Sequence, residues 1–162
     1  AGANYHTIGS FNGSTATWRI GGTGTSDQID FQTGSGYTTR ASINSSGLTV
    51  TGSVVATTDT DTSNTGSVTL DFTANQNFVL TFTGNVTLAN PSTERVGASG
   101  VIVCIQDGTG SRTLSLDSQY KTSGDAGITL STGANDVDII PYFVQAADNI
   151  LLGAVQKDFV GA

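Results

Sequence analysis

The chain has 162 residues, only 12% of them charged, and 13 Asp and Glu against 6 Lys and Arg give a formal net charge of −7. An acidic surface repels phosphate groups, so no nucleic-acid partner is expected. No apolar run approaches the roughly 18 residues of a transmembrane helix, so no membrane insertion is expected. The 21 glycines must lie mostly in turns or at close backbone approaches, since each one fixed inside a strand costs about 0.5–1 kcal/mol relative to Ala.

The first third of the chain carries short apolar segments that are interrupted by glycine. Strands are predicted over residues 15–20, 28–31, 39–43 and 48–50, which are too short to form a self-sufficient sheet. Residues 57–65 contain no large apolar side chain and have the composition of an exposed linker. The sequence therefore predicts two parts, a short-stranded β segment over residues 1–64 and a C-terminal β domain over residues 65–162.

The second part consists of short alternating segments between Gly, Asn and Asp turns. Regular spacing of short strands is typical of a sandwich or barrel, and Thr, the main polar residue, suits the solvent face of a strand. Strands are predicted over residues 68–72, 78–82, 86–88, 101–105, 113–116 and 150–152. The predicted fold is all-β, an antiparallel β-sandwich of jelly-roll type.

Apolar faces predict the register of a first hairpin in this domain. If residues 83–85 form a three-residue loop, Phe82 faces Val86 and Leu80 faces Leu88. A two-residue loop would place the two apolar faces on opposite sides of the sheet.

A second hairpin is predicted around the loop of residues 107–110. Pairing Gln106 with Ser111 brings Val103 opposite Leu114 and Val101 opposite Leu116.

A strand interrupted by proline is predicted near the end of the chain. Pro141 within residues 137–144 lacks a backbone N–H, which favours a sheet edge or a bulge. The chain is predicted to turn at residues 146–149. The return strand, residues 149–155, carries large side chains on both faces, as in a strand covered on both sides.

Residues able to carry out nucleophilic catalysis or to bind zinc are scarce. His6 is the only histidine and Cys104 the only cysteine, so no Ser-His-Asp or Cys-His arrangement is expected. A structural zinc site needs four ligands, mostly of these two types, so no metal and no cofactor are predicted. Cys104 lies in an apolar run and is predicted to be a buried small hydrophobe.

Two groups of carboxylates were weighed as sites. Residues 59–63 have oxygen ligands at alternate positions, as a calcium loop does, but Asn64 and Leu70 replace the Gly and the Glu that such a loop requires. Asp136 and Asp138 share a strand face and could resemble the paired carboxylates of a glycosidase. A solvated strand face is the favoured interpretation, because like charges at that spacing need no function when they are hydrated.

Glycine-rich segments and aromatic residues complete the candidates. The segments 21–24, 34–36 and 108–110 are predicted to be turns, because no helix and no Lys-Ser or Lys-Thr pair follows to make a phosphate loop. Aromatic residues on strands are mostly core or interface residues, although some could stack on a carbohydrate. The aromatic candidates are Trp18, Tyr37, Tyr120 and Tyr142.

The second part resembles the C-terminal domain of tail-fibre and related virion proteins of tailed bacteriophages, particularly marine ones. The resemblance covers most of residues 66–159 and rests on residues 71–78, residues 80–91, the run Gly100-Val-Ile-Val-Cys-Ile-Gln-Asp-Gly-Thr-Gly-Ser-Arg-Thr-Leu114, Tyr120-Lys121 and Asp158-Phe159.

The first part is similar to fibre-shaft segments. The similar residues are Phe31-Gln-Thr-Gly34, Arg40, Ile43 and Ser45-Ser-Gly47, and the usual Gly-Ile-Gly continuation is replaced by residues 48–52. The resemblance implies an intertwined homotrimer on the virion exterior and no catalytic residues. Short strands that cannot bury their own faces also favour a trimer on physical grounds, because neighbouring chains can cover them.

The leading hypothesis is a non-enzymatic virion structural protein, a tail-fibre or spike component for host attachment. Residues 1–64 would be its fibre-like or docking segment, and its partners would be other copies, other virion proteins and a host surface glycan or protein. One alternative is a capsid-bound head fibre or decoration protein. Another is a glycan depolymerase that uses Asp136 and Asp138 in a cleft between chains.

Overall fold

The computed structural model describes residues 29–33 and 38–159. In these ranges the chain forms eleven strands and one short 3-10 turn at Ser123–Asp125. The strands are β1 (Ile29–Thr33), β2 (Thr38–Asn44), β3 (Gly47–Val50), β4 (Thr58–Thr69), β5 (Asn77–Ala89), β6 (Ser99–Gln106), β7 (Leu114–Leu116), β8 (Tyr120–Lys121), β9 (Val137–Ala146), β10 (Asn149–Leu152) and β11 (Gln156–Phe159). The predicted all-β class is confirmed.

The first compact unit ends at Val54 and contains a three-stranded antiparallel sheet in the order β1, β2, β3. The turn between β2 and β3 places Gly47 at φ +116°, a conformation that favours glycine. Ile43 and Leu48 are register partners, and both are exposed. The predicted strands at 28–31, 39–43 and 48–50 are confirmed, and the strand predicted at 15–20 lies outside the described residues.

The second compact unit begins at Val55 and contains one mixed sheet in the order β4, β5, β6, β9, β10, β8. Strands β4, β5 and β6 are parallel to one another, and β9 runs antiparallel to its two neighbours, β6 and β10. The prediction of an antiparallel sheet is therefore wrong for β4 to β6, whose crossover segments return the chain to the same end of the sheet. It is also wrong for the parallel pairs β5–β7 and β8–β10. The sandwich and the trimer stay predictions.

Strand β4 occupies most of the stretch that was predicted to be a linker. Its side chains are largely exposed, yet it pairs in parallel with β5 from Thr58 to Thr69. Repeated Thr residues are compatible with an exposed strand because a β-branched side chain fits a pleated surface. The linker prediction is wrong. The domain boundary between residues 64 and 65 stays a prediction, and it falls inside strand β4.

The first predicted hairpin is absent because β5 runs straight through residues 83–85. Phe82 and Val86 lie on the same buried face of one continuous strand, and Val86 pairs with Leu114 of β7 instead of Phe82. Gly84 is required by crowding, since a Cβ atom there would lie 2.2 Å from Thr65 Oγ1 of β4. The glycine marks a close approach of two strands, where the sequence pattern indicated a turn.

The second predicted hairpin is also wrong, because β6 pairs with β5 and β9 and β7 pairs with β5. In place of a hairpin partner, the side chain of Gln106 holds the segment that leads to β7. Its Oε1 accepts the N–H of Arg112 at 2.8 Å, and its Nε2 donates to the carbonyls of Arg112 and Ser131, both at 2.9 Å. This buried amide closes the loop that follows β6 and leads the chain to β7.

Proline at position 141 lies inside the sheet, so the prediction of an edge position is wrong. Strand β9 pairs with β6 on one side and with β10 and β11 on the other. On that second side β10 pairs with β9 as far as Tyr142, and β11 pairs with β9 from Ile139. The Pro141 carbonyl accepts the N–H of Gly153 at 2.8 Å. Pro141, which has no backbone N–H to donate, therefore lies where the neighbour of β9 changes from β10 to β11. The predicted turn is confirmed, since Asn149 pairs with Ala146.

The core lies on one face of the mixed sheet. Phe72 contacts Phe78 and Tyr142 edge-on, with ring centroids 5.1 and 5.0 Å apart. The remaining core residues are Leu70, Leu80, Phe82, Val86, Leu88, Ile102, Cys104, Leu114, Tyr120, Leu130, Ile140, Val144, Ile150 and Leu152. Leu151, predicted to be covered, is 41% exposed, so in the single chain β10 is buried on one face only.

Candidate functional site

The opposite face of the sheet is also apolar. Odd-numbered residues of β6 and β9 pair with one another, as Val103 does with Ile139 and Val101 with Pro141, and paired residues lie on the same face of a sheet. We call this surface the outer face. It is formed by Val79, Thr81, Ser99, Val101, Val103, Ile105, Lys121, Val137, Ile139, Pro141, Phe143, Leu151, Gln156 and Phe159.

Two large side chains at the end of the outer face are open to solvent. Phe143 is 45% exposed and Leu151 is 41% exposed, and the two are direct register partners. Among these residues Lys121, the register partner of Leu151 at the far end of the face, is charged, and none is Asp or Glu. A sheet that faces water normally carries polar side chains on its solvent face, so this composition is that of a surface covered by another element.

The sequence contains a pattern that indicates an outer face. The runs 101–105 and 137–144 are nearly continuous in apolar residues, which is typical of strands that are covered on both faces. Coverage on both faces was predicted only for residues 149–155, and residues 101–105 were predicted to be an alternating strand.

The carboxylates proposed as a glycosidase pair lie in different surroundings. Asp138 is only 2% exposed and accepts hydrogen bonds from Ser131 N–H at 2.6 Å, Ser131 Oγ at 2.8 Å and Asp158 N–H at 2.9 Å. Asp136 precedes β9 and accepts the N–H of Gly133 at 2.6 Å. The prediction of a shared, solvated strand face is wrong. A buried Asp138 fastens the loop and the terminal strand and lacks the access to saccharide that hydrolysis requires.

The remaining polar candidates form no reactive or metal-binding group in the described ranges. Cys104 is buried, and burial together with the nearby Asp138 carboxylate raises its pKa to about 12, so the unreactive thiol form predominates. In residues 59–63, Asp61 accepts the N–H of Ser63 at 3.1 Å within strand β4. Nowhere in residues 29–33 and 38–159 do three His, Cys, Asp or Glu side chains gather as a metal site would require.

The aromatic candidates that the structure describes are core residues. Tyr142 donates its hydroxyl to the Gln76 carbonyl at 2.7 Å, and burial raises its pKa to about 12. Tyr120 is buried as well, and burial, Glu94 and Asp117 raise its pKa. Neither ring can stack on a carbohydrate. His6, Trp18, Tyr37 and the glycine segments 21–24 and 34–36 lie outside the described residues.

The glycine segment 108–110 is a turn, as predicted. The Asp107 carboxylate accepts the N–H groups of Thr109 at 3.0 Å and Gly110 at 2.9 Å, and it forms an ion pair with Arg112 at 2.8 Å. These N–H groups are already bonded, so they are not free to bind a phosphate. In the part of the chain that the structure describes, no helix has the length and apolar character to span a membrane.

Comparison with known families agrees with the motif resemblance. The profile of a family described as "Putative phage tail fibre C-terminal domain" matches residues 37–146, which is more than half of the 162-residue chain and includes strands β2 to β9. No curated protein and no solved structure shows significant similarity to the chain. The chain belongs to the phage tail fibre C-terminal domain family and is therefore a structural component of the bacteriophage virion.

Proposed function

We propose that this domain is a non-enzymatic attachment module of a tail fibre that forms a homotrimer through its outer face. The observation that carries the proposal is a largely apolar second face, without Asp or Glu, on a sheet whose first face already forms the core. Covering a Val, Leu, Ile or Phe side chain completely contributes about 1.5–3 kcal/mol. Several partly exposed side chains on one surface can therefore supply the free energy of a stable association.

A second copy of the chain is the occupant that charge favours. The chain carries a net charge of −7, so two copies repel wherever their acidic surfaces meet, whereas no Asp or Glu lies among the outer-face residues. The edge of the sheet is less suited to association. Strand β4 exposes Asp59 and Asp61 along its length, and charged side chains on an edge strand oppose the addition of a further strand.

Attachment then follows from the number of copies. Three linked domains present every surface site three times, and weak contacts act together through a high effective concentration. The described chain also lacks an accessible Asp136–Asp138 pair, so no observation favours the depolymerase alternative over attachment.

The proposal is tested on the parent particle and on host cells. Antibody against this domain should label the tail in electron micrographs, and the purified chain should bind host cells without releasing reducing sugar from their polysaccharide. Labelling confined to the head would contradict a tail-fibre location and support the capsid-bound alternative. Release of reducing sugar would contradict the non-enzymatic role.

A further inference from the structure

A cleft of about 390 Å³ opens where the three parallel strands begin. Its walls are Thr57 before β4, residues 72–76 before β5 and residues 95–99, which lead into the first residue of β6. Parallel strands need crossover connections that return to the starting end of the sheet. For this reason, segments that are far apart in the sequence meet in one cleft.

The cleft is held in shape by hydrogen bonds beneath and beside it. Asp71 Oδ1 accepts from Thr73 N–H at 2.8 Å, Thr73 Oγ1 at 2.6 Å and Ala74 N–H at 3.1 Å. Gln76 Nε2 donates to the Ser99 carbonyl at 2.8 Å, which joins the second wall to the third. A site fixed in this way loses little conformational entropy when a ligand binds.

The lining of the cleft carries one positive charge, and the carboxylate of Asp71, which bonds the lining residues Thr73 and Ala74, lies outside that lining. Arg95 is the only charged residue in its lining, and no Asp or Glu lines it, although the chain carries 13 acidic residues. A second cleft, formed by residues 114–128, contains Asp117 and Asp125. Among the described residues, Arg112 and Asp107 make the only ion pair. The guanidinium of Arg95 is therefore not engaged by a carboxylate, and Asp71 influences it only from beyond ion-pair distance.

We infer that this cleft binds the anionic group, carboxylate or phosphate, of an acidic saccharide, with Arg95 as the anchoring residue. A guanidinium offers a planar fork of donors that matches either group in a bidentate manner. Thr73, Asn75 and Ser99 supply side chains that can bond sugar hydroxyls. Val96 is 63% exposed at the rim and offers an apolar contact to the C–H face of the ring. The inference rests on the proposed attachment function and assigns its ligand class.

The test uses the full chain and titrates it with defined oligosaccharides while amide and guanidinium NMR signals are recorded. One series contains a uronic acid, a second contains a sugar phosphate, and a third contains the matched neutral sugars. Inorganic phosphate and acetate control for binding of the anion without a sugar. The variants are Arg95→Gln, Arg95→Lys, which keeps the charge and loses the fork, and Lys157→Gln, which removes an equal charge from the exposed strand β11.

Binding of at least one acidic series, with shifts confined to residues 72–76 and 95–99, is the expected result. Because a charge-assisted hydrogen bond is stronger than a neutral one, Arg95→Gln should weaken binding by about tenfold or more, and Lys157→Gln should not. The two acidic series decide between carboxylate and phosphate. Equal binding of neutral sugars, unchanged binding by Arg95→Gln, binding of the free anions alone, or no binding would each overturn the inference.

Cell binding separates this inference from the proposed function. If Arg95→Gln loses saccharide binding while the wild-type chain fails to bind host cells, the cleft assignment stands and attachment fails. If the chain binds host cells equally with and without the Arg95→Gln substitution, attachment stands and the cleft assignment fails.

Discussion

Replacing Phe143 by Asp should dissociate the trimer without unfolding the chain. Phe143 is 45% exposed in the single chain, and a Phe side chain buries about 200 Å² when it is fully covered, so about 90 Å² remains for a partner to cover. At about 25 cal/mol per Å² this area contributes about 2 kcal/mol for each chain. The introduced carboxylate adds a desolvation cost of at least about 2 kcal/mol when it is buried without a partner.

The combined loss of about 4 kcal/mol per chain weakens each association step by about three orders of magnitude. Sedimentation velocity at micromolar concentration should therefore show a trimer for the wild-type chain and a monomer for Phe143→Asp. Circular dichroism and thermal unfolding would check that the variant still folds, which is expected because the side chain is outside the core. Val55→Asp is the matched control, since Val55 is 90% exposed and lies in no strand. A Phe143→Asp variant that sediments as the wild-type trimer does would refute the assignment of the outer face.

Three further predictions concern the single chain. Gly100→Ala should lower the free energy of unfolding by about 2–3 kcal/mol, because its Cβ would lie 1.9 Å from a backbone carbonyl; Gly108→Ala, with open space around it, should change it little, and equal urea midpoints would disprove the crowding. The hydrogen bond from Arg112, ahead of those from backbone N–H groups, lowers the pKa of Asp107 below 3.8. Its contribution to stability is therefore present above the unfolded-state pKa and is lost as the pH falls through the folded-state pKa. When urea unfolding is measured between pH 6 and about pH 2, the free energy of unfolding should fall less for Asp107→Asn than for the wild-type chain. An identical dependence of this free energy on pH in the two proteins would contradict the prediction. Cys104, whose pKa burial raises to about 12, should react with a thiol reagent at pH 8 only after denaturation, and rapid labelling of the folded chain would show that the thiol is accessible.

Local features of the fold could be predicted from the sequence because they depend on neighbouring residues. Alternation of apolar residues located most strands of the second unit, and the turn before β10 was placed correctly. That turn needs residues that tolerate a left-handed backbone, and Asp148 has a φ of 59°. Turn chemistry of this kind is readable from the sequence alone.

Strand pairing could not be predicted, because the same pattern fits several partners. Phe82 and Val86 lie on one face whether the chain turns between them or continues, so periodicity alone cannot separate a hairpin from a long strand. The glycine at position 84 was interpreted as a turn signal, while the structure uses it for the approach of Thr65. Parallel pairing of β4, β5 and β6 depends on contacts far apart in the sequence, which no local rule reports.

The candidate surfaces differ in how far the sequence predicts them. The outer face was detectable in principle, since the run from Val101 to Ile105 has no polar residue apart from the thiol of Cys104. The cleft was not detectable, because the segments that contain Thr57, Asn75 and Arg95 meet only through two crossover connections. An isolated arginine in a Ser-, Thr- and Gly-rich loop carries no local signal of a binding site.

The most direct test of the account is the mass of the full wild-type chain in solution, measured by light scattering at micromolar concentration. The expected mass is three times the 16.5 kDa of one chain, because the largely apolar outer face must be covered by other copies. A single species of 16.5 kDa would show that this face stays exposed, and the proposal of a self-associating fibre module would fail.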